Sequence, residues 1–74
     1  MTAAEVAVLS ALSPDHALTT TEIQQASALT SWRTRNAVAQ LNSRGLITST
    51  HPPGRWRLTP RGRTALAVKA PRFR

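Results

Sequence analysis

His51-Pro52-Pro53-Gly54 is the stretch that most restricts the fold of this chain. Two prolines in succession fix φ and remove two backbone donors, and the glycine admits a turn conformation, so neither helix nor strand continues through it. On its N-terminal side, Leu46-Ile47-Thr48-Ser49-Thr50 is rich in β-branched residues. On its C-terminal side, Arg55-Trp56-Arg57-Leu58 alternates charged and apolar residues with the period of a half-buried strand. A hairpin is therefore predicted over about residues 46–58, with Trp56 and Leu58 packed beneath it and Arg55 and Arg57 facing away.

The rest of the chain reads as helices. Thr2-Ala3-Ala4-Glu5 has the capping-box spacing, in which a threonine caps the helix and a glutamate three residues on reaches back to it. Val6, Leu9 and Leu12 recur at helical spacing with Val8 beside them, which predicts a helix over about 3–12, stopped by the turn cluster Ser13-Pro14-Asp15-His16. Ala17 and Leu18 form a short extended link. Thr19-Thr20-Thr21-Glu22 repeats the capping box and opens a second helix at about 20–27, with Ile23 and Ala26 facing inward. A third helix, capped by Thr30 or Ser31, runs over about 31–44 and stops at Gly45. Thr59-Pro60 opens a last helix, threonine as cap and proline at the first helical position, whose apolar contacts are Leu66 and Val68.

Seventy-four residues hold one domain, here residues 1–70, followed by a frayed basic tail at 71–74. A chain this short buries only about 60% of its unfolded surface, which leaves scant room for an enclosed catalytic cavity. Cysteine is absent, so disulfides and thiolate metal sites are excluded. With two histidines and three acids, a protein-held metal is not expected, and no cofactor is implied. No run approaches the roughly 18 apolar residues of a membrane span, and no secretory signal opens the chain, so a cytoplasmic protein is expected. No nucleophile–base–acid set or glycine-rich phosphate loop is present, so an enzyme is not expected.

The charge is partitioned along the sequence. Residues 1–30 hold Glu5, Asp15 and Glu22 and no Lys or Arg; residues 31–74 hold all ten bases and no acid, for a net charge of +7. Nine of the ten are arginine, whose planar fork suits bidentate contact with phosphate and guanine. Such one-sided charge repels itself unless a polyanion uses it.

The order helix, short helix, turn, longer helix, hairpin, helix is that of a helix-turn-helix followed by a wing. The expected class is α+β, mainly α: a winged helix with a three-helix core, a two-stranded wing and a short C-terminal helix. Two motifs carry a family resemblance. Leu41-Asn42-Ser43-Arg44-Gly45-Leu46-Ile47 resembles the end of a winged-helix recognition helix. Leu58-Thr59-Pro60-Arg61-Gly62 resembles the Leu-Thr-x-x-Gly step from wing to last helix in MarR- and PadR-type bacterial regulators. The resemblance covers about residues 3–69 and implies double-stranded DNA as partner. At the wing tip Pro52-Pro53-Gly54 replaces the charged residues often found there.

The third helix can also be read directly. At about 100° per residue, Thr34, Val38, Leu41 and Gly45 share one side with Ala37, while Trp32, Arg33, Asn36, Ala39, Gln40 and Ser43 lie broadly opposite. Arg33 matches a guanine edge, and Asn36 and Gln40 match adenine edges in the major groove. Arg35 and Arg44, on the flanks, are expected to reach phosphates, as are the hydroxyl and N–H groups of Thr30 and Ser31 at the helix start. Trp32 is read first as packing against a neighbouring helix and second as covering a sugar or a thymine methyl. Arg55 and Arg57 are expected to meet backbone or a narrow minor groove.

The expectation is therefore sequence-specific DNA binding, with residues 31–44 in the major groove and the wing, 46–58, on the adjoining backbone or minor groove. The setting is a bacterial, phage or plasmid transcriptional regulator. One alternative is the DNA-recognition domain of a larger protein, such as a plasmid-transfer or chromosome DNA translocase. A further one is an RNA-binding or protein-interaction winged helix. A homodimer and a larger parent protein both remain open.

Overall fold

Every helix begins on a threonine, and each of these threonines accepts a backbone N–H that the helix itself leaves unpaired. In the computed structural model, which describes all residues except Pro14 and 70–74, the elements run α1 (Ala3–Leu12), α2 (Thr20–Ser27), α3 (Ser31–Ser43), β1 (Ile47–Ser49), β2 (Trp56–Leu58) and α4 (Pro60–Lys69). The Thr2 hydroxyl accepts from Glu5 N at 3.2 Å while Glu5 Oε1 accepts from Thr2 N at 3.1 Å. Thr19 and Glu22 repeat the exchange at 3.1 and 2.8 Å. Thr30, not Ser31, caps α3, and Thr59 caps α4 by accepting from Gly62 N. Caps of this kind contribute roughly 0.5–2 kcal/mol each. The expected tail at 71–74 lies outside the described residues.

α1 is the central element, packed against α2, α3 and α4. The core is one cluster: Val8, Leu9 and Leu12 of α1, Ile23 of α2, Ala37, Val38 and Leu41 of α3, then Leu46, Ile47 and Leu58. Each large aliphatic side chain buried here stabilises the fold by roughly 1.5–3 kcal/mol. Three expected core positions are corrected. Val6 is half-buried, because the inward stripe of α1 runs through positions 5, 8, 9 and 12 and places Glu5 where Val6 was expected. Ala26 is exposed, and its turn of α2 instead presents half-buried Ser27, whose hydroxyl donates to the Ile23 carbonyl at 2.6 Å. Val68 is exposed; Ala65 joins Leu66 in packing α4 onto the core.

The turn between α2 and α3 starts at Ala28, which takes a left-handed conformation at φ 57°. α3 stops by a different route. Gly45, at φ +73°, sends its N–H to the Asn42 carbonyl, and Leu46 N–H returns to the Leu41 carbonyl at 2.9 Å. Both bonds of a Schellman stop are present, and the two leucines that frame it are both in the core. The chain therefore leaves the third helix directly into the wing.

The wing pairs β1 with β2 antiparallel, matching Ile47 with Leu58, Thr48 with Arg57 and Ser49 with Trp56. Leu18, in the α1–α2 link, adds a third member. Its N–H donates to the Trp56 carbonyl at 3.0 Å and its carbonyl accepts from Trp56 N–H at 2.7 Å. β2 thus lies between β1 and Leu18, which the period-two pattern did not foretell.

Thr59 joins wing to α4. Its N–H donates to the Leu46 carbonyl and its hydroxyl to the Gly45 carbonyl at 2.7 Å. Gly62 then lies directly over the Leu46 carbonyl oxygen, where a β-carbon would collide with backbone. The Leu-Thr-x-x-Gly step therefore has a steric cause: only glycine lets α4 settle this close to the start of the wing.

Candidate nucleic-acid interface

α3 is capped by Thr30 and stopped by Gly45, and its buried side of Thr34, Ala37, Val38 and Leu41 fixes the rotation of the helix on the core. Thr34 is fully buried, and its hydroxyl is satisfied by donating to the Thr30 carbonyl at 2.8 Å. The opposite side is therefore held outward. Ser31, Trp32, Arg33, Arg35, Asn36, Ala39 and Gln40 are all exposed, and α3 contains no acidic residue. The spacing of about 100° per residue had put Trp32, Arg33, Asn36, Ala39 and Gln40 away from the core and Arg35 on a flank, and all six are exposed.

Trp32 is corrected. It is 67% exposed rather than packed under a neighbouring helix. It borders a shallow cleft of about 270 Å³ between α3 and the start of α1, shared with Arg33, Asn36, Thr2 and Glu5. One flat apolar side chain thus stands in the open beside the polar face.

The arginines divide into two groups. Arg33, Arg35 and Arg61 form no ion pair among the described residues. The other described arginines, Arg44, Arg55, Arg57 and Arg63, meet the three acids of the N-terminal half. Arg44 Nη1 lies 3.4 Å from Oε1 of buried Glu5. Arg55 Nη1 lies 3.1 Å from Glu22 Oε1 and donates also to the Ala17 carbonyl at 2.9 Å. Arg57 and Arg63 both approach Asp15, at 3.6 and 3.4 Å. Glu22 is held below the usual carboxylate range, first by the Thr19 N–H it accepts and then by Arg55, against a partial burial penalty.

Of the expected site residues, the structure leaves Trp32, Arg33, Asn36 and Gln40 exposed on the side of α3 away from the core, with Arg35 exposed on its flank and Thr30 and Ser31 exposed at its start. Arg44 stands at the far end of that helix, and Arg55 and Arg57 lie on the wing, leaning toward the α1–α2 link. The acids that receive these arginines were read only as caps or turn residues. Their partners are 33 to 48 residues away in sequence, and no local spacing announces such a pair.

No protein-family model and no curated protein matches the chain. Solved structures do. BpsR of Bordetella bronchiseptica, a protein whose DNA binding is regulated by 6-hydroxynicotinic acid, is 29% identical with a TM-score of 0.82, over 92% of this chain and 51% of that one. A MarR family transcriptional regulator from Silicibacter pomeroyi is also 29% identical, with a TM-score of 0.81 over 92% and 50%. Another MarR family regulator, 22% identical with a TM-score of 0.79, shares the fold over 92% and 48%. The chain spans about half the length of these proteins. Four helices, an outward-facing third helix and a two-stranded wing make the chain a winged helix-turn-helix domain, similar to MarR family transcriptional regulators.

Proposed function

We propose that the domain binds double-stranded DNA sequence-specifically, with α3 in the major groove and the wing over the adjoining backbone or minor groove. The observation that carries this is the exposed side of α3: Arg33, Asn36 and Gln40 point outward together, around small Ala39, with no acid on the helix. A guanidinium and two carboxamides are the groups that pair bidentately with guanine and adenine edges. Ala39 lets the backbone approach the bases. Arg35, the Ser31 hydroxyl and the N-terminal N–H groups of α3 serve the phosphates on one wall. Trp32 covers a sugar or a thymine methyl.

The proposed setting is a transcriptional regulator acting in the cytoplasm, on a bacterial, phage or plasmid promoter, by binding and not by catalysis. The similarity to a protein whose DNA binding is regulated supports it. A second reading keeps the same DNA contact but sets it in a recognition domain of a larger protein, such as a DNA translocase.

Selection of bound duplexes from a randomised library near physiological salt tests the proposal. An enriched motif is expected. An inverted repeat means a two-fold dimer, and direct repeats or a single short site favour the translocase setting. Binding without enrichment that vanishes as salt rises overturns sequence-specific reading and brings RNA or a protein partner forward.

A further inference from the structure

The hairpin is small for an element that must meet DNA at a fixed angle. Each strand has three residues, and a two-stranded ribbon of that length is marginal by itself. Its position depends on what holds β2 to the body of the domain. Two backbone bonds join Trp56 to Leu18. Beside them, one nitrogen of Arg55 donates to both the Ala17 carbonyl and the Glu22 carboxylate. The same Glu22 oxygen closes the cap of α2 by accepting from Thr19 N. A single carboxylate oxygen therefore joins the first turn of α2 to the start of β2.

We propose that Arg55 is a positioning residue that latches the wing to the α1–α2 link and the start of α2 through Ala17 and Glu22, and so sets the angle at which the wing meets DNA. This rests on the DNA-binding reading above. It reverses the role that the sequence alone suggests for Arg55, a contact to the DNA backbone or a narrow minor groove, which as a phosphate contact would carry about one unit of salt slope. Turning the guanidinium toward a phosphate would surrender two hydrogen bonds. It would also leave the Glu22 carboxylate uncompensated next to a polyanion, where like charge repels. Arg57 is less restrained, 3.6 Å from a mostly exposed Asp15, and is the wing cation left for phosphate.

The test compares the full chain with Arg55→Ala, Glu22→Gln, the double variant and Arg55→Lys. Glutamine keeps the capping acceptor of α2 and removes only the charge. Amide exchange is measured first, without DNA. The latch predicts faster exchange at Leu18 and Trp56 in both single variants; unchanged exchange overturns it, whether or not any DNA binds. Affinity for the duplex enriched in the selection is then measured across salt. Both single variants are expected to weaken binding about two- to fivefold, with the double no worse than either and the salt slope unchanged. Arg55→Lys is expected to recover only part of the loss, because its side chain is one bond shorter and brings the ammonium less far toward the two acceptors that Nη1 reaches. Tighter binding by Glu22→Gln, with a slope reduced by about one in Arg55→Ala, makes Arg55 a phosphate contact and overturns the proposal. If the unmodified chain enriches no duplex, the DNA-binding reading fails, and the exchange measurement still judges the latch.

Discussion

Arg44, at the C-terminal cap of α3, reaches across the core edge to Glu5 in the first turn of α1, guanidinium to carboxylate at 3.4 Å. The two side chains are unequal: that of Glu5 is 6% exposed and that of Arg44 half exposed. Removing the arginine leaves a buried carboxylate served only by the Thr2 N–H. Arg44→Ala is therefore expected to lower stability by roughly 1–3 kcal/mol, measured as a shift of the urea midpoint at constant slope. Arg35→Ala, which removes the same charge from the same helix, is expected to stay within about 0.5 kcal/mol. Equal effects would mean that the Arg44–Glu5 pair contributes nothing.

Arg33 and Asn36 are expected to read bases. Replacing either with alanine should cost about 1–3 kcal/mol of discrimination at one base position, seen when the duplex selection is repeated. Arg35→Ala should instead weaken all duplexes alike and reduce the salt slope by about one. Identical behaviour of both kinds of variant would dissolve the division between reading and anchoring on α3.

Gly62 is expected to reject any side chain. A β-carbon there meets the Leu46 carbonyl, a backbone group that cannot turn aside. Gly62→Ala should lose about 1–3 kcal/mol, despite the better helix propensity of alanine. Thermal unfolding with an unchanged midpoint would show that α4 can ride away from the wing at no cost.

Glu22 gives the fold a defined acid response. Its carboxyl is held below the ordinary value in the folded state. Its contribution is thus fully present above the unfolded value, about 4.3, and is lost as pH falls through the folded one. The stability gap between the unmodified chain and Glu22→Gln should be constant near neutrality and shrink as pH falls below about 4. A gap independent of pH would show that the ionised form has no special role.

What the sequence disclosed follows the range of each interaction. Helix starts were legible because Thr2 with Glu5, and Thr19 with Glu22, act over three residues. The outward side of α3 was legible because Thr34, Val38 and Leu41 set a single stripe. On α1 a run of apolar residues offered competing stripes, and the one chosen by packing passes through Glu5 instead of Val6. Ala28 carries no mark of its left-handed turn, where glycine is usual. Trp32 looked like a packing residue by its type, yet the side on which it lies is fixed by Thr34 and Ala37 behind it. Leu18 and the acid–arginine pairs depend on segments brought together only by the finished fold.

The bonds that fix the wing all lie at or below Thr50 and Arg55: the strand pairs, the Leu18 bridge, the Arg55 contacts and the Thr59 hydroxyl. Among the described residues, no hydrogen bond ties His51–Gly54 to anything beyond Thr50. The end of the wing is therefore a nib carried on the shaft that these bonds hold. Residues 51–54 lie outside the core cluster, so a substitution among them changes what the edge of the domain presents and removes no core side chain.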